Sequence, residues 1–226
     1  MAVKYYIFVN YHPFIISKHL NGIEVMRNEE DAAWCLGLMS GTSLDGIDAA
    51  LIKTDGEFVY EFGPAYTQPF DDAYRARLRE AVHGRGDMLV VEQEITLKHA
   101  EVVKILLGEA NMHRKEIKVI GFHGQTIRHA PAEGISEQIG APQWLADALG
   151  IPVVADFRSN DVRHGGQGAP LVPAYHAALA AGLGAREGGV CFVNIGGISN
   201  LTAIGPDGSI RAFDSGPGNT LIDQWV

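Results

Sequence analysis

The strongest constraint on how this chain can fold is a pattern that it writes twice. Residues 34–52 read Trp34-Cys35-Leu36-Gly37-Leu38-Met39-Ser40, then Gly41-Thr42-Ser43-Leu44-Asp45-Gly46, then Ile47-Asp48-Ala49-Ala50-Leu51-Ile52. Residues 190–204 read Val190-Cys191-Phe192-Val193-Asn194-Ile195, then Gly196-Gly197, then Ile198-Ser199-Asn200-Leu201-Thr202-Ala203-Ile204. Each is an apolar strand, a tight turn of Gly with Ser, Thr or Asn, and a second apolar strand. A constant offset pairs Cys35 with Cys191, Gly41 with Gly197 and Ser43 with Ser199. Glycine turns between strands leave backbone N–H groups open to an anion, because no Cβ blocks the approach. Two such turns read as a phosphate gripped from both sides, or more plainly as two ordinary hairpins.

The residues between the two units alternate strand and helix signals. A third strand is predicted over 57–62. Asp71 or Asp72 then caps a helix with Phe70, Tyr74, Leu78 and Val82 at four-residue spacing, ended by Gly84. A longer helix is predicted over 87–112, with Val91, Ile95, Val102 and Leu106 on one stripe. Residues 117–122 form a short apolar strand that gives way to a polar run. Pro142 opens a helix that Gly150 closes, 151–155 is the next strand, and 170–181 is an alanine-rich helix. Hairpins followed by βαβ alternation predict an α/β fold, a mixed sheet with helices on both faces. Ligands of such sheets sit beyond the carboxyl ends of strands. That edge is predicted to gather residues 40–43, 123–126, 156–158 and 194–197.

Composition narrows the classes of partner. The 226 residues carry 18 basic and 27 acidic side chains, a net charge of −9. With no Lys/Arg-rich block, nucleic acid is not expected as a partner. The two cysteines, Cys35 and Cys191, lie in apolar strands and read as buried inert thiols in a reducing compartment. No Cys or His spacing suggests zinc. No run approaches the ~20 apolar residues of a membrane span, and no signal-peptide cleavage site follows the amino-terminal apolar patches. Residues 1–33 read as an extension of unassigned role. The last helical run, 220–226, stops uncapped, so the chain is expected to end inside a domain.

Four clusters could carry chemistry. Residues 41–48 have the composition of a phosphate turn without the lysine of a Walker loop, so binding would rest on backbone N–H groups and the Thr42 and Ser43 hydroxyls. Asp45 and Asp48 could hold Mg2+ through water, although Asp45-Gly46 is also an ordinary turn dipeptide. His123, Gln125 and Thr126 suit a polyhydroxylated ligand, with a core role for His123 as the alternative. Arg158 could clamp a carboxylate bidentately or simply pair with Asp156. Asp214, before Ser215-Gly216-Pro217-Gly218, is the best candidate for a general base, placed at a strand end close to bound phosphate.

Taken together, these motifs resemble the anhydro-N-acetylmuramic acid kinase family of the actin-like ATPase and sugar-kinase superfamily. The resemblance covers residues 36–226 and rests on Gly37-Leu38-Met39-Ser40-Gly41-Thr42-Ser43-Leu44-Asp45-Gly46 and Gly121-Phe122-His123-Gly124-Gln125-Thr126-Ile127-Arg128-His129. It continues through Gln138-Ile139-Gly140, residues 154–158, 165–173, 194–200 and 213–219. It implies an actin-like (ribonuclease H-like) fold with a complete first lobe over 34–187 and a second lobe only begun over 188–226. It implies ATP-dependent phosphorylation at O6 of the anhydro-sugar with hydrolytic opening of the anhydro bridge, in cytoplasmic cell-wall recycling, with ATP and Mg2+. A homodimer is compatible with it. By motif match, Gly41, Thr42, Ser43, Leu44, Asp45, Gly46, Ile47 and Asp48 line the ATP phosphates, and Gly196 and Gly197 form the second phosphate turn. His123, Gln125, Thr126 and Arg158 lie near the sugar, and Asp214 is the base. Because the family continues beyond Val226, this chain is expected to be nearly inactive alone. A non-catalytic sugar-binding remnant is the alternative, and an ATP-independent glycosidase using Asp214 with Asp156 is a third reading.

Overall fold

A computed structural model describes residues 19–20, 23–24, 29–183, 189–196, 198–219, 221 and 225. Its described residues divide into two compact units: those of 30–55 with 60–168, and those of 169–226 with 56–59.

The larger unit is built on a mixed sheet. Strand β1 (Ala33–Ser40) runs antiparallel to β2 (Gly46–Thr54), with Ser40 opposite Ile47 at the turn and Ala33 opposite Thr54. Strand β3 (Val59–Pro69) borders β2, longer than the predicted 57–62 because its polar second half keeps pairing. On its other edge β1 pairs in parallel with β4 (Ile117–Ala130). Strand β5 (Ile135–Ile139) folds back on the second half of β4, and β6 (Val153–Ala155) lies parallel to its first half.

The helices follow their local signals. In α1 (Asp72–Val82) the Asp71 carboxylate accepts the Tyr74 N–H at 2.7 Å, and in α2 (Met88–Glu109) Asp87 accepts from Leu89 and Val90. Helix α3 (Pro142–Leu149) stops at Gly150, whose φ of 64° only glycine takes without strain. A short α4 (Ser159–Arg163) follows β6. The helices flank the sheet and bury Tyr74, Leu78, Ile95 and Leu106 against Leu36, Leu38, Ile120 and Phe122. That is the α/β layering the alternation predicts.

One strand departs from its prediction in a way that matters. The apolar run ends at Phe122, yet β4 continues to Ala130, so residues 123–129 are not a loop beyond a strand end. Leu38 pairs with Phe122 but Ser40 pairs with Gln125, so β4 spends one more residue than β1 between those points. Gly124, at φ 69°, supplies that bulge, and any Cβ there would lie 2.4 Å from the Ile139 carbonyl oxygen.

In the smaller unit, α5 (Pro173–Leu183) lies by an antiparallel sheet of β7 (Val190–Ile195), β8 (Ile198–Ile204) and β9 (Ile210–Pro217). The His176 ring stacks on Phe192 with centroids 4.4 Å apart. Side chains alternate along β7, so Phe192 faces α5 while Cys191, Val193 and Ile195 face away and are exposed. Cys191 is therefore not the buried thiol that its apolar strand predicts; Cys35 is half-buried. Of the cluster at 194–197, residues 194–196 lie at the end of β7 in this second sheet, so they do not share one sheet edge with the other three clusters. The repeated pattern also has a limit. Ser43 sits in its turn, whereas Ser199 pairs within β8, because the second hairpin turns in fewer residues.

Candidate functional site

The turn after β1 is pinned at three points. The Gly41 carbonyl accepts the Leu44 N–H at 3.1 Å, and the Phe70 N–H donates to the Asp45 carbonyl at 3.0 Å. The Leu44 carbonyl accepts Arg75 Nε at 3.0 Å. Leu44, not a glycine, carries the positive φ of 54°, and its side chain is buried in the core, which holds the strained backbone in place. Gly46 is required for a different reason, since a Cβ there would lie 2.4 Å from the Gln68 carbonyl oxygen. Thr42 and Ser43 are exposed at the tip, and their N–H groups have no partner among the described residues. Ser43 Oγ donates to Asp45 Oδ1 at 2.8 Å, Thr67 Oγ1 donates to Asp48 Oδ1 at 2.6 Å, and Ile47 is fully buried.

Gln125 comes across from β4, opposite Ser40, and is fully buried. It accepts the Ser40 hydroxyl at 2.6 Å and donates to the carbonyls of Gly41 at 3.3 Å and Thr126 at 3.2 Å. His123, also buried, accepts Arg158 Nε at its Nε2 at 3.0 Å. A guanidinium only donates, so the ring proton sits on Nδ1 and reaches the Gly124 carbonyl at 2.8 Å. Burial first, and the Arg158 charge second, hold this imidazole below its ordinary pKa and neutral. Arg158 Nη1 donates to the Gly168 carbonyl at 2.6 Å, so the guanidinium is anchored at two atoms. Thr126 is half-buried beside Gln125, and Asp156, at φ 58°, accepts the Ser159 N–H at 3.3 Å.

Behind this strand stands a residue that sequence reading passed over. His99 of α2 is fully buried with its ring edge-on to Phe122, centroids 4.9 Å apart. Its Nδ1 bonds the Ile95 carbonyl at 2.7 Å, while Nε2 has no partner among the described residues. Burial pushes its pKa down to about 4. Arg75 and His99 were missed because nothing in their local sequence separates them from ordinary helix positions, whereas Ser40 was placed in the edge cluster without its role as a partner of Gln125.

In the smaller unit, Gly196 ends β7 and its carbonyl accepts the Asn219 N–H at 2.7 Å. A Cβ on Gly218 would lie 2.0 Å from that same oxygen, so the two segments touch only because residue 218 is glycine. Gly197 lies outside the described residues. Asp214 is exposed and pairs with Asn200 inside β9, not at its end. Ser199 pairs with Gly216 and Asn200 with Asp214, so Ser215 is the extra residue of a bulge that turns the strand at this carboxylate. Among the described residues no three His, Cys, Asp or Glu side chains converge as a metal cage, and no helix is long and apolar enough to cross a membrane.

The geometry so far defines an α/β protein with a pinned turn after one strand of the larger sheet and an anchored guanidinium just past another. Comparison with known proteins makes that class specific. The profile of the anhydro-N-acetylmuramic acid kinase family matches residues 33–226, and the chain belongs to that family. A relative of that name from Rhizobium etli is 54% identical over 201 residues, covering 84% of this chain and 54% of the relative. One from Paramagnetospirillum magneticum is 55% identical over 191 residues, covering 84% and 53%. One from Brucella canis is 52% identical over 207 residues, covering 87% and 56%. The chain thus spans about half the length of the curated relatives it matches.

Proposed function

We propose that this chain supplies phosphate-side and sugar-side residues of an ATP-dependent kinase of the actin-like class. Its substrate is 1,6-anhydro-N-acetylmuramic acid and its product N-acetylmuramic acid 6-phosphate, made with cleavage of the anhydro bond in cytoplasmic peptidoglycan recycling. The observation that carries this reading is the 41–48 turn, inside a family-matched motif. It is tied down at Gly41, Leu44 and Asp45 while the Thr42 and Ser43 amides stay open.

In this reading the Thr42 and Ser43 N–H groups meet phosphate oxygens, with Gly196 and Gly197 as a second phosphate turn. Such donors cost little to organise at the moment of reaction, because the turn is already rigid. Arg158, aimed by neutral His123, meets the acidic sugar, with Thr126 beside it. Asp214 takes a proton from water as the water oxygen bonds to the anomeric carbon. The bond from that carbon to O6 breaks, and the O6 electron pair attacks the γ-phosphorus and displaces ADP. Mg2+ would supply charge neutralisation at the phosphates. Asp45 and Asp48 fit it as water-mediated partners, since one or two carboxylates suit an ion carried mainly by phosphate and water.

The test is a product assay on the full-length protein with ATP, Mg2+ and the anhydro-sugar. Asp214→Asn should lower turnover about a thousandfold while sugar binding persists. Ring opening without ATP, or turnover of Asp214→Asn within about tenfold of the parent, overturns the reading.

A further inference from the structure

Gln125 belongs to a motif in which a sugar ligand is the natural expectation, but its fully buried side chain has no donor left to offer one and a single oxygen lone pair uncommitted. Both amide hydrogens and one oxygen lone pair are committed, and the residue is fully buried. The amide cannot be turned over. Reversed, its oxygen would face the Gly41 and Thr126 carbonyl oxygens, acceptor against acceptor.

We propose that Gln125 is a positioning residue that aims the Thr42 amide at phosphate, through its hold on Ser40 and on the Gly41 carbonyl. A peptide unit is planar and trans, so its C=O and the following N–H point in opposite directions. The Gly41 carbonyl is drawn inward by two donors, Leu44 N–H and Gln125 Nε2. The N–H of Thr42, at the other end of that plane, is thereby turned outward. Ser40 completes the brace. Its hydroxyl, 1% exposed, donates to the Gln125 oxygen and fixes the amide from the residue just before the turn. Leu44 N–H alone closes a turn but leaves the Gly41–Thr42 plane free to rock. The second donor arrives from 84 residues away and removes that freedom. The bulge at Gly124 is what brings Gln125, and not its neighbour, opposite Ser40. The strand that carries His123 thus also sets the turn. This inference rests on the reading of residues 41–48 as a phosphate turn.

The test compares Gln125→Glu and Ser40→Ala with the parent full-length protein by amide hydrogen exchange and by calorimetric titration. Glutamate keeps the shape but presents acceptors to two carbonyls. Exchange of the Leu44 N–H, which bonds the Gly41 carbonyl, should accelerate about tenfold in Gln125→Glu and less in Ser40→Ala, with the rest of β1 and β4 unchanged. Affinity for ATP with Mg2+ should fall about tenfold, and sugar affinity should stay within about threefold. A tenfold loss of sugar affinity with unchanged exchange would make Gln125 a sugar ligand and overturn the proposal. Acceleration spread evenly through the sheet would overturn it too, as a general packing role. If the parent binds neither ligand, the functional reading fails, and the exchange pattern still decides the brace. Should Gln125→Glu not fold, Ser40→Ala reads the same contrast.

Discussion

Replacing His99 with leucine should remove most of the acid sensitivity of the larger unit between pH 7 and pH 5. The imidazole is fully buried on α2, against Phe122, with Nε2 unpartnered among the described residues. Burial is the main cause that takes its pKa from 6.5 down to about 4, with the Ile95 carbonyl opposing and His123 adding. A base whose folded pKa is depressed stabilises the fold fully above its unfolded pKa. That stability is lost as pH falls from 6.5 toward 4, because the unfolded chain takes the proton first. The gap between those values is worth about 3 kcal/mol in all, and about 2 kcal/mol of it is already lost at pH 5. That is a large share of the ~5–15 kcal/mol that a domain has. His123 is depressed in the same direction and should account for part of the remainder. Asp71 and Glu80, whose pKa values are lowered, do not lose their contribution until more acid pH. Urea titrations followed by circular dichroism at pH 7 and pH 5 measure this directly. The parent should lose about 2 kcal/mol more than His99→Leu between the two. Parallel losses, or a His99 titration by NMR near 6.5, would refute the reasoning.

Two further outcomes follow from other parts of the structure. Gly140→Ala should destabilise the fold by about 2–4 kcal/mol in the same titration. Its Cβ would lie 2.5 Å from Phe122 Cζ at a φ of 140°, and a cost below about 1 kcal/mol would show that the ring yields. Toward a thiol reagent at pH 8, exposed Cys191 should react first and Cys35 about tenfold more slowly, because burial raises the Cys35 thiol despite Lys118 nearby. Equal rates, read by mass spectrometry, would contradict this.

Much of the fold was legible because its signals are local. Asp71, Asp87 and the Pro142–Gly150 bracket announce three helices within a turn of where they begin or end, and both hairpins were readable from apolar runs around glycine turns. The true length of β4 was not. Polar residues after Phe122 look like a loop until β5 returns to pair with them across the Gly124 bulge. Cys191 looked buried because an apolar strand does not say whether anything packs on each of its faces.

By itself, the sequence determined which polar groups exist, in what order, and that they cluster around strands. What only the tertiary structure decided is which of those groups already have partners. His123 is engaged by Arg158 from 35 residues away and Gln125 by Ser40 from 85, so two expected ligands turn inward to serve their neighbours. The physical reason is that periodicity and capping act over a few residues, whereas a buried polar side chain is satisfied by whatever the folded chain brings within about 3 Å of it.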